Sequence, residues 1–147
     1  MIYLTSDHRG FELKEKIKNY LEKQDLKYID LGPFQVDPGD DYPIYARKLA
    51  EAVAASNGRG IAACRSGVGM AIALNKFDGI RAAEIYTVAE AKLSRNDDDT
   101  NVLVFGSDIY NTKKGFKILD AWLTTKFSGA ERHIRRLGEI EQYEEEN

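Results

Sequence analysis

Short apolar runs alternate along this chain with longer stretches whose apolar residues recur every three or four positions. Met1–Ser6 reads as a strand. Phe11, Leu13, Ile17, Tyr20 and Leu21 follow at helical spacing among Glu12, Lys14, Glu15, Lys16 and Lys18, which predicts an amphipathic helix over about 10–23. Lys27–Leu31 reads as a second strand. Residues 32–41, GPFQVDPGDD, hold two prolines and two glycines and read as a loop. Pro43 suits the first turn of a helix over about 43–56, with Asp41 as N-cap and Ile44, Leu49, Ala50 and Val53 on one face.

The stretch Gly60–Asn75, GIAACRSGVGMAIALN, carries a strand, a turn through 64–69 and an Ala-rich helix from about Met70. Ile80–Ile85 is a fourth strand. Residues 87–96 form a short helix with Ala89, Leu93 and Ala91 turned inward. Asn101–Phe105 is a fifth strand, Lys113–Thr125 a helix, and Glu131–Glu145 a charged helix with Ile134, Leu137, Ile140 and Tyr143 every three residues. Regular alternation of strand and helix predicts one α/β domain over 1–147. Its architecture is a three-layer Rossmann-like fold, a five-stranded parallel sheet with helices on both faces and a C-terminal helical arm. Ligands of such sheets bind outside the carboxyl ends of the strands. That places 6–10, 64–69, 86–87 and 106–111 under suspicion.

Composition narrows the function. A 43% hydrophobic and 31% charged chain of 147 residues builds a globular core. The net charge of −3 argues against a general nucleic-acid partner. No apolar run approaches the roughly 20 residues that span a bilayer, so no membrane partner is expected. The apolar run at 1–6 is too short for a signal-peptide core. A lone cysteine makes no intramolecular disulfide, which points to a reducing, cytoplasmic setting.

Four groups of residues invite a chemical reading, and each has a plainer one beside it. Cys64 is either a small buried hydrophobe or a thiol whose anion is stabilised by the helix start, with Ser66, Gly67 and Gly69 offering hydroxyl and N–H donors to an oxyanion. Asp7 and His8 either cap the first helix or face the same crevice as Cys64. Arg132 and Arg136, four apart on a helix, either grip a phosphate or pair with neighbouring glutamates. Asp97, Asp98 and Asp99 suggest a metal, yet three consecutive acids rarely converge on one ion, and a polar turn ending a helix is the stronger reading. Tyr86, Asp108 and Tyr110 lie at strand ends without a specific pattern.

Six segments carry a family resemblance: SDHRGFELKEKI near the start, DYPIYA at 41–46, CRSGVGM at 64–70, NKFDGIRAA at 75–83, DDTNVLVFG at 98–106 and RHIRR at 132–136. In this order they resemble the ribose-5-phosphate isomerase B family, which includes galactose-6-phosphate isomerase subunits, over nearly the whole chain. The resemblance implies interconversion of aldose and ketose phosphates through an enediolate, without metal or cofactor, in homodimers or homotetramers whose active sites are shared between subunits. It implies Cys64 as the base and Ser66 with the backbone of Gly67 and Gly69 as the anion hole. It further implies Asp7, His8 and Tyr42 as sugar-pocket residues and Arg132 and Arg136 as phosphate ligands reaching a neighbouring subunit.

The chain departs from the family pattern at four places. Arg65 stands where a glycine is usual. Asp97 and Asp98 stand for a ring-opening histidine and the asparagine after it. Asp108 replaces a frequent arginine. An ordinary aspartate is ionised at neutral pH, so Asp97 is an unusual substitute, and the acidic run is expected to face the turn at 64–69. A sugar-phosphate-binding homologue without turnover is the alternative. A thiol redox protein fits poorly, because no second cysteine is present to resolve the first.

Overall fold

The computed structural model describes residues 1–108 and 112–146. Strands β1 (Ile2–Ser6), β2 (Tyr28–Asp30), β3 (Arg59–Cys64), β4 (Ala82–Glu84) and β5 (Val102–Gly106) form one parallel sheet in the order β2-β1-β3-β5-β4. Helices α1 (Phe11–Lys23), α2 (Tyr42–Ser56), α3 (Val68–Leu74), α4 (Val88–Asp98), α5 (Thr112–Thr124) and α6 (Glu131–Glu145) complete the described chain. The elements match the sequence reading to within a few residues at each end.

Side-chain alternation splits the core between the two faces of the sheet. Ile61, Ala63, Leu103 and Phe105 point to one face, where Ile17 and Leu21 of α1, Ala91 of α4 and Ile118, Leu119 and Trp122 of α5 bury them. Ala62, Cys64, Val102 and Val104 point to the other, under Leu49 and Val53 of α2 and Met70 and Leu74 of α3. The central strands are therefore apolar on both sides, as parallel strands between helical layers must be.

One helix departs from its predicted face. Ala89 and Leu93 of α4 point outward, while Ala91 and Arg95 are buried. Arg95 wins an interior place because its guanidinium lies 5.8 Å from the Trp122 ring centroid and donates to Asp99 and to the Thr100 carbonyl. Asp41 occupies the N-cap of α2 but makes no side-chain capping bond. Asp99 closes α4 in a left-handed conformation, so the acidic run does end a helix.

Candidate active site

The strand order reverses between β1 and β3: the chain leaves β1 toward β2 and leaves β3 toward β5 and β4. Helices α1 and α3 depart to opposite faces, which leaves a crevice above the carboxyl ends of β1 and β3. Ser6 pairs with Ala63, so Asp7 and Cys64 emerge side by side. Gly10 lets α1 start hard against β3, for a Cβ there would lie 2.3 Å from the Ala63 carbonyl oxygen. Asp7 accepts the N–H groups of Arg9 and Gly10 at 3.0 and 2.9 Å. Burial pushes its carboxyl above the usual range, with Asp40 adding to the rise, while the Gly10 and Arg9 amides and His8 oppose it.

His8 is held by a residue that periodicity did not reveal. Asp40, from the loop before α2, lies 2.6 Å from His8 Nδ1 and accepts the His8 backbone N–H at 3.0 Å. In the sequence it is one of several acids in the Pro- and Gly-rich loop 32–41, two residues before Tyr42. Asp7, His8 and Asp40 bring one ligand atom each within 4.8 Å of one another, the spacing of a metal site. Within this group His8 Nδ1 meets Asp40 Oδ1, and Asp7 accepts the amides of Arg9 and Gly10 just before α1.

Cys64 ends β3 and is 4% exposed. Its Sγ accepts the Gly67 N–H at 3.2 Å, and the Met70 and Ser66 amides also lower its pKa. Burial nevertheless pushes the thiol up, and the charge of Asp7 adds to the rise. The amide field expected from the helix start is present, but desolvation of the thiolate outweighs it. Gly67 has φ of +85°, a conformation that glycine adopts freely. Ser66 accepts the Val68 N–H at 3.3 Å. Tyr42, the first residue of α2, lays its ring on Gly69, where a Cβ would meet the ring at 2.6 Å. Tyr42, Cys64, Ser66, Gly67 and Gly69 thus assemble in one corner, with Asp7 and His8 across the crevice.

Two charged groups complete the corner. Glu84 of β4 packs beneath the turn, its carboxyl carbon 2.9 Å from where a Gly67 Cβ would stand. Its Oε1 is buried with no hydrogen-bond partner among the described residues, and burial pushes its carboxyl up. Asp108, past β5, is paired with Arg65 at 2.9 Å, so two departures from the family pattern meet each other. Tyr110 lies outside the described residues.

The remaining candidates stand elsewhere. Asp97 and Asp98 end α4, just before β5 begins, while Cys64 pairs with Gly106 at the far end of β5. Five strand residues, roughly 17 Å, separate those edges. Within one chain the acidic run therefore does not face the 64–69 turn. Helix α6 shares the remote edge: His133 Nε2 is 3.4 Å from Asp97, and Glu144 accepts the Gly79 N–H at 2.9 Å. Arg132 and Arg136 are exposed there.

The whole chain resembles known proteins. Residues 2–140 match the family model described as ribose/galactose isomerase. A probable ribose-5-phosphate isomerase B of Mycoplasma pneumoniae is 45% identical over 99% of this chain and 95% of its own length. The ribose-5-phosphate isomerase B of Escherichia coli is 41% identical over 95% of this chain and 93% of its own. The crystal structure of ribose-5-phosphate isomerase B from Mycoplasma genitalium with bound ribulose-5-phosphate aligns with a TM-score of 0.94 at 37% identity, covering 99% of this chain and 97% of that one.

Proposed function

The chain belongs to the ribose/galactose isomerase family, and from that premise we propose that it interconverts an aldose phosphate and the matching ketose phosphate with Cys64 as base. Its class of activity is sugar-phosphate isomerisation, an intramolecular oxidoreduction. Ribose 5-phosphate and ribulose 5-phosphate are the proposed pair, since relatives carry that name and one holds ribulose-5-phosphate. The observation that carries the reading is Cys64 Sγ under the Gly67 N–H at the switch point of the sheet.

In the proposed reaction the Cys64 thiolate takes the proton from C2 of the open-chain aldose. The C2–H electrons form the C1–C2 double bond, and the carbonyl electrons move onto O1. Ser66 and the amides of Gly67 and Gly69 stabilise that developing oxyanion. A proton passes from O2 to O1, the O2 carbonyl forms, and Cys64 returns its proton to C1. Asp7, His8 and Tyr42 hold the sugar hydroxyls. Because burial raises the thiol, the thiolate is the minority form near neutrality.

A second copy of the chain completes this site in the proposal. Arg132 and Arg136 of one copy hold the phosphate bound at the Cys64 corner of another. Asp97, with His133 beside it, and Asp98 then serve ring opening and contact with the intermediate in that neighbouring site. Support comes from the separation of the two halves within one chain and from apolar residues left on the surface. Val68 and Ile72 on α3, and Ile134, Ile140 and Tyr143 on α6, are between 46% and 62% exposed. Dimer and tetramer both satisfy this arrangement.

The test follows turnover of ribose 5-phosphate and a panel of pentose and hexose phosphates by the wild type and by Cys64→Ala. Wild-type turnover with a loss of about 10²- to 10⁴-fold in the variant supports the base assignment. Equal rates in the two proteins refute it.

A further inference from the structure

Arg9, Arg65 and Asp108 meet at the mouth of the crevice, where the turns after β1, β3 and β5 come together. Arg65 Nε donates to Asp108 Oδ2 at 2.9 Å, and Arg9 Nη2 stands 3.9 Å from the same oxygen. The turns beneath are fixed to one another. The Asp108 and Ser107 amides donate to the carbonyls of Arg65 and Cys64 at 3.0 and 2.8 Å. The Ser107 hydroxyl donates to the Arg9 carbonyl at 2.9 Å. A Cβ on Gly106 would lie 2.4 Å from the Ser66 carbonyl oxygen, so the β5 turn is pressed onto the β3 turn.

Two guanidinium groups thus share one carboxylate and leave an excess positive charge. A guanidinium has five N–H donors in a rigid fork. Asp108 engages the Nε of Arg65, and no described residue takes the N–H groups of its terminal nitrogens. All three side chains are about half exposed or more, so an incoming ligand reaches them. Arg65 stands in the turn next to the proposed base, and its pairing with Asp108 past β5 holds its fork beside the crevice above the ends of β3 and β5.

We propose that Arg65, oriented by Asp108 and assisted by Arg9, is a specificity-determining contact for the phosphate of the substrate, supplied by the same chain as Cys64. This rests on the sugar-phosphate isomerase reading and adds a same-chain grip to the arginines of the second copy. Asp108 is a positioning residue: it holds the Arg65 fork over the crevice and touches no substrate atom.

The test combines kinetics with a binding measurement independent of turnover. Affinity for inorganic phosphate is read by ³¹P NMR titration of the full-length protein, and KM and kcat are read with ribose 5-phosphate. Arg65→Ala is expected to weaken phosphate and raise KM about tenfold each, with kcat within about threefold, the effect of one charge-assisted hydrogen bond. Arg65→Lys recovers part of the loss, because charge remains and the fork does not. Asp108→Asn raises KM only while Arg65 is present, so the double variant resembles Arg65→Ala alone. A wild type that loses phosphate affinity on Arg65→Ala but turns over no sugar phosphate sustains the contact and sinks the isomerase reading. An active wild type whose phosphate affinity and KM are unchanged by Arg65→Ala overturns the contact and leaves the isomerase reading intact. A wild type that binds no phosphate at millimolar concentrations also overturns the contact.

Discussion

Replacing Gly10 by alanine tests how the crevice is built. Gly10 has φ of −91° and ψ of −3°, a conformation open to any residue, so alanine suffers no dihedral penalty there. The obstacle is steric and on backbone. The new Cβ falls 2.3 Å from the Ala63 oxygen and 2.5 Å from the Ala63 carbonyl carbon, where contacts under 3.0 Å are essentially never seen. Neither atom can rotate aside, so α1 and β3 must part by about 1 Å. Overpacking of this kind costs about 1–3 kcal/mol, and a backbone clash belongs at the upper end. At about 2–4 °C per kcal/mol for a chain of this size, the melting temperature should fall by about 6–12 °C. The same shift carries Asp7 and His8 away from Cys64, and a displacement of that order lowers kcat/KM by about 10²-fold. Differential scanning calorimetry with steady-state kinetics reads both quantities. A Gly10→Ala protein that melts within 2 °C of wild type with unaltered kcat/KM would refute the close approach of α1 to β3.

Two ionisable groups yield further expectations. Burial raises the Cys64 thiol, so kcat/KM should climb about tenfold per pH unit from neutrality into the alkaline range, and iodoacetamide labelling of Cys64 should climb in parallel; a flat profile contradicts the thiolate base. Glu84 has a carboxyl raised by burial, so the folded state holds its proton more tightly than the unfolded chain does. Its stabilising contribution is present below the unfolded pKa and is lost as pH rises through the folded value. Glu84→Gln keeps the shape without the charge, and should raise stability at pH 7 with little difference near pH 4 in chemical denaturation; equal stability at both pH values argues against a desolvated carboxyl.

Much of the fold was legible because its signals are local. Unbroken apolar runs in β3 and β5 and helical spacing in α1 and α2 report burial directly. Leu93 and Arg95 show where that logic fails. Hydrophobicity alone turns Leu93 inward, but Trp122 of α5 gives the Arg95 guanidinium a flat surface and Thr100 gives it an acceptor, and neither partner is visible from α4. The Cys64–Gly69 corner was legible because strand, turn and helix start are contiguous. Asp40 and Glu84 were not, since a loop residue and one carboxylate at the end of a three-residue strand carry no periodicity. The separation of Asp97 and Arg132 from Cys64 follows from strand direction: α4 returns the chain to the opposite edge of the sheet before β5 begins. Treating 97–99 as neighbours of 64–69 overlooks that return.

A mixed oligomer distinguishes a Cys64-based isomerase site completed by a second copy from a site built within one chain. Cys64→Ala and Arg132→Ala/Arg136→Ala chains, carrying different tags, are co-expressed, and the hybrid is isolated through both tags. Ribose 5-phosphate turnover is then compared with each parent and with wild type. In a two-fold dimer one site of the hybrid keeps both Cys64 and the two arginines, so activity should return to about half that of wild type although each parent is nearly inactive. A verified hybrid as inactive as its parents would contradict the shared site, and a fully active Cys64→Ala parent would contradict the base.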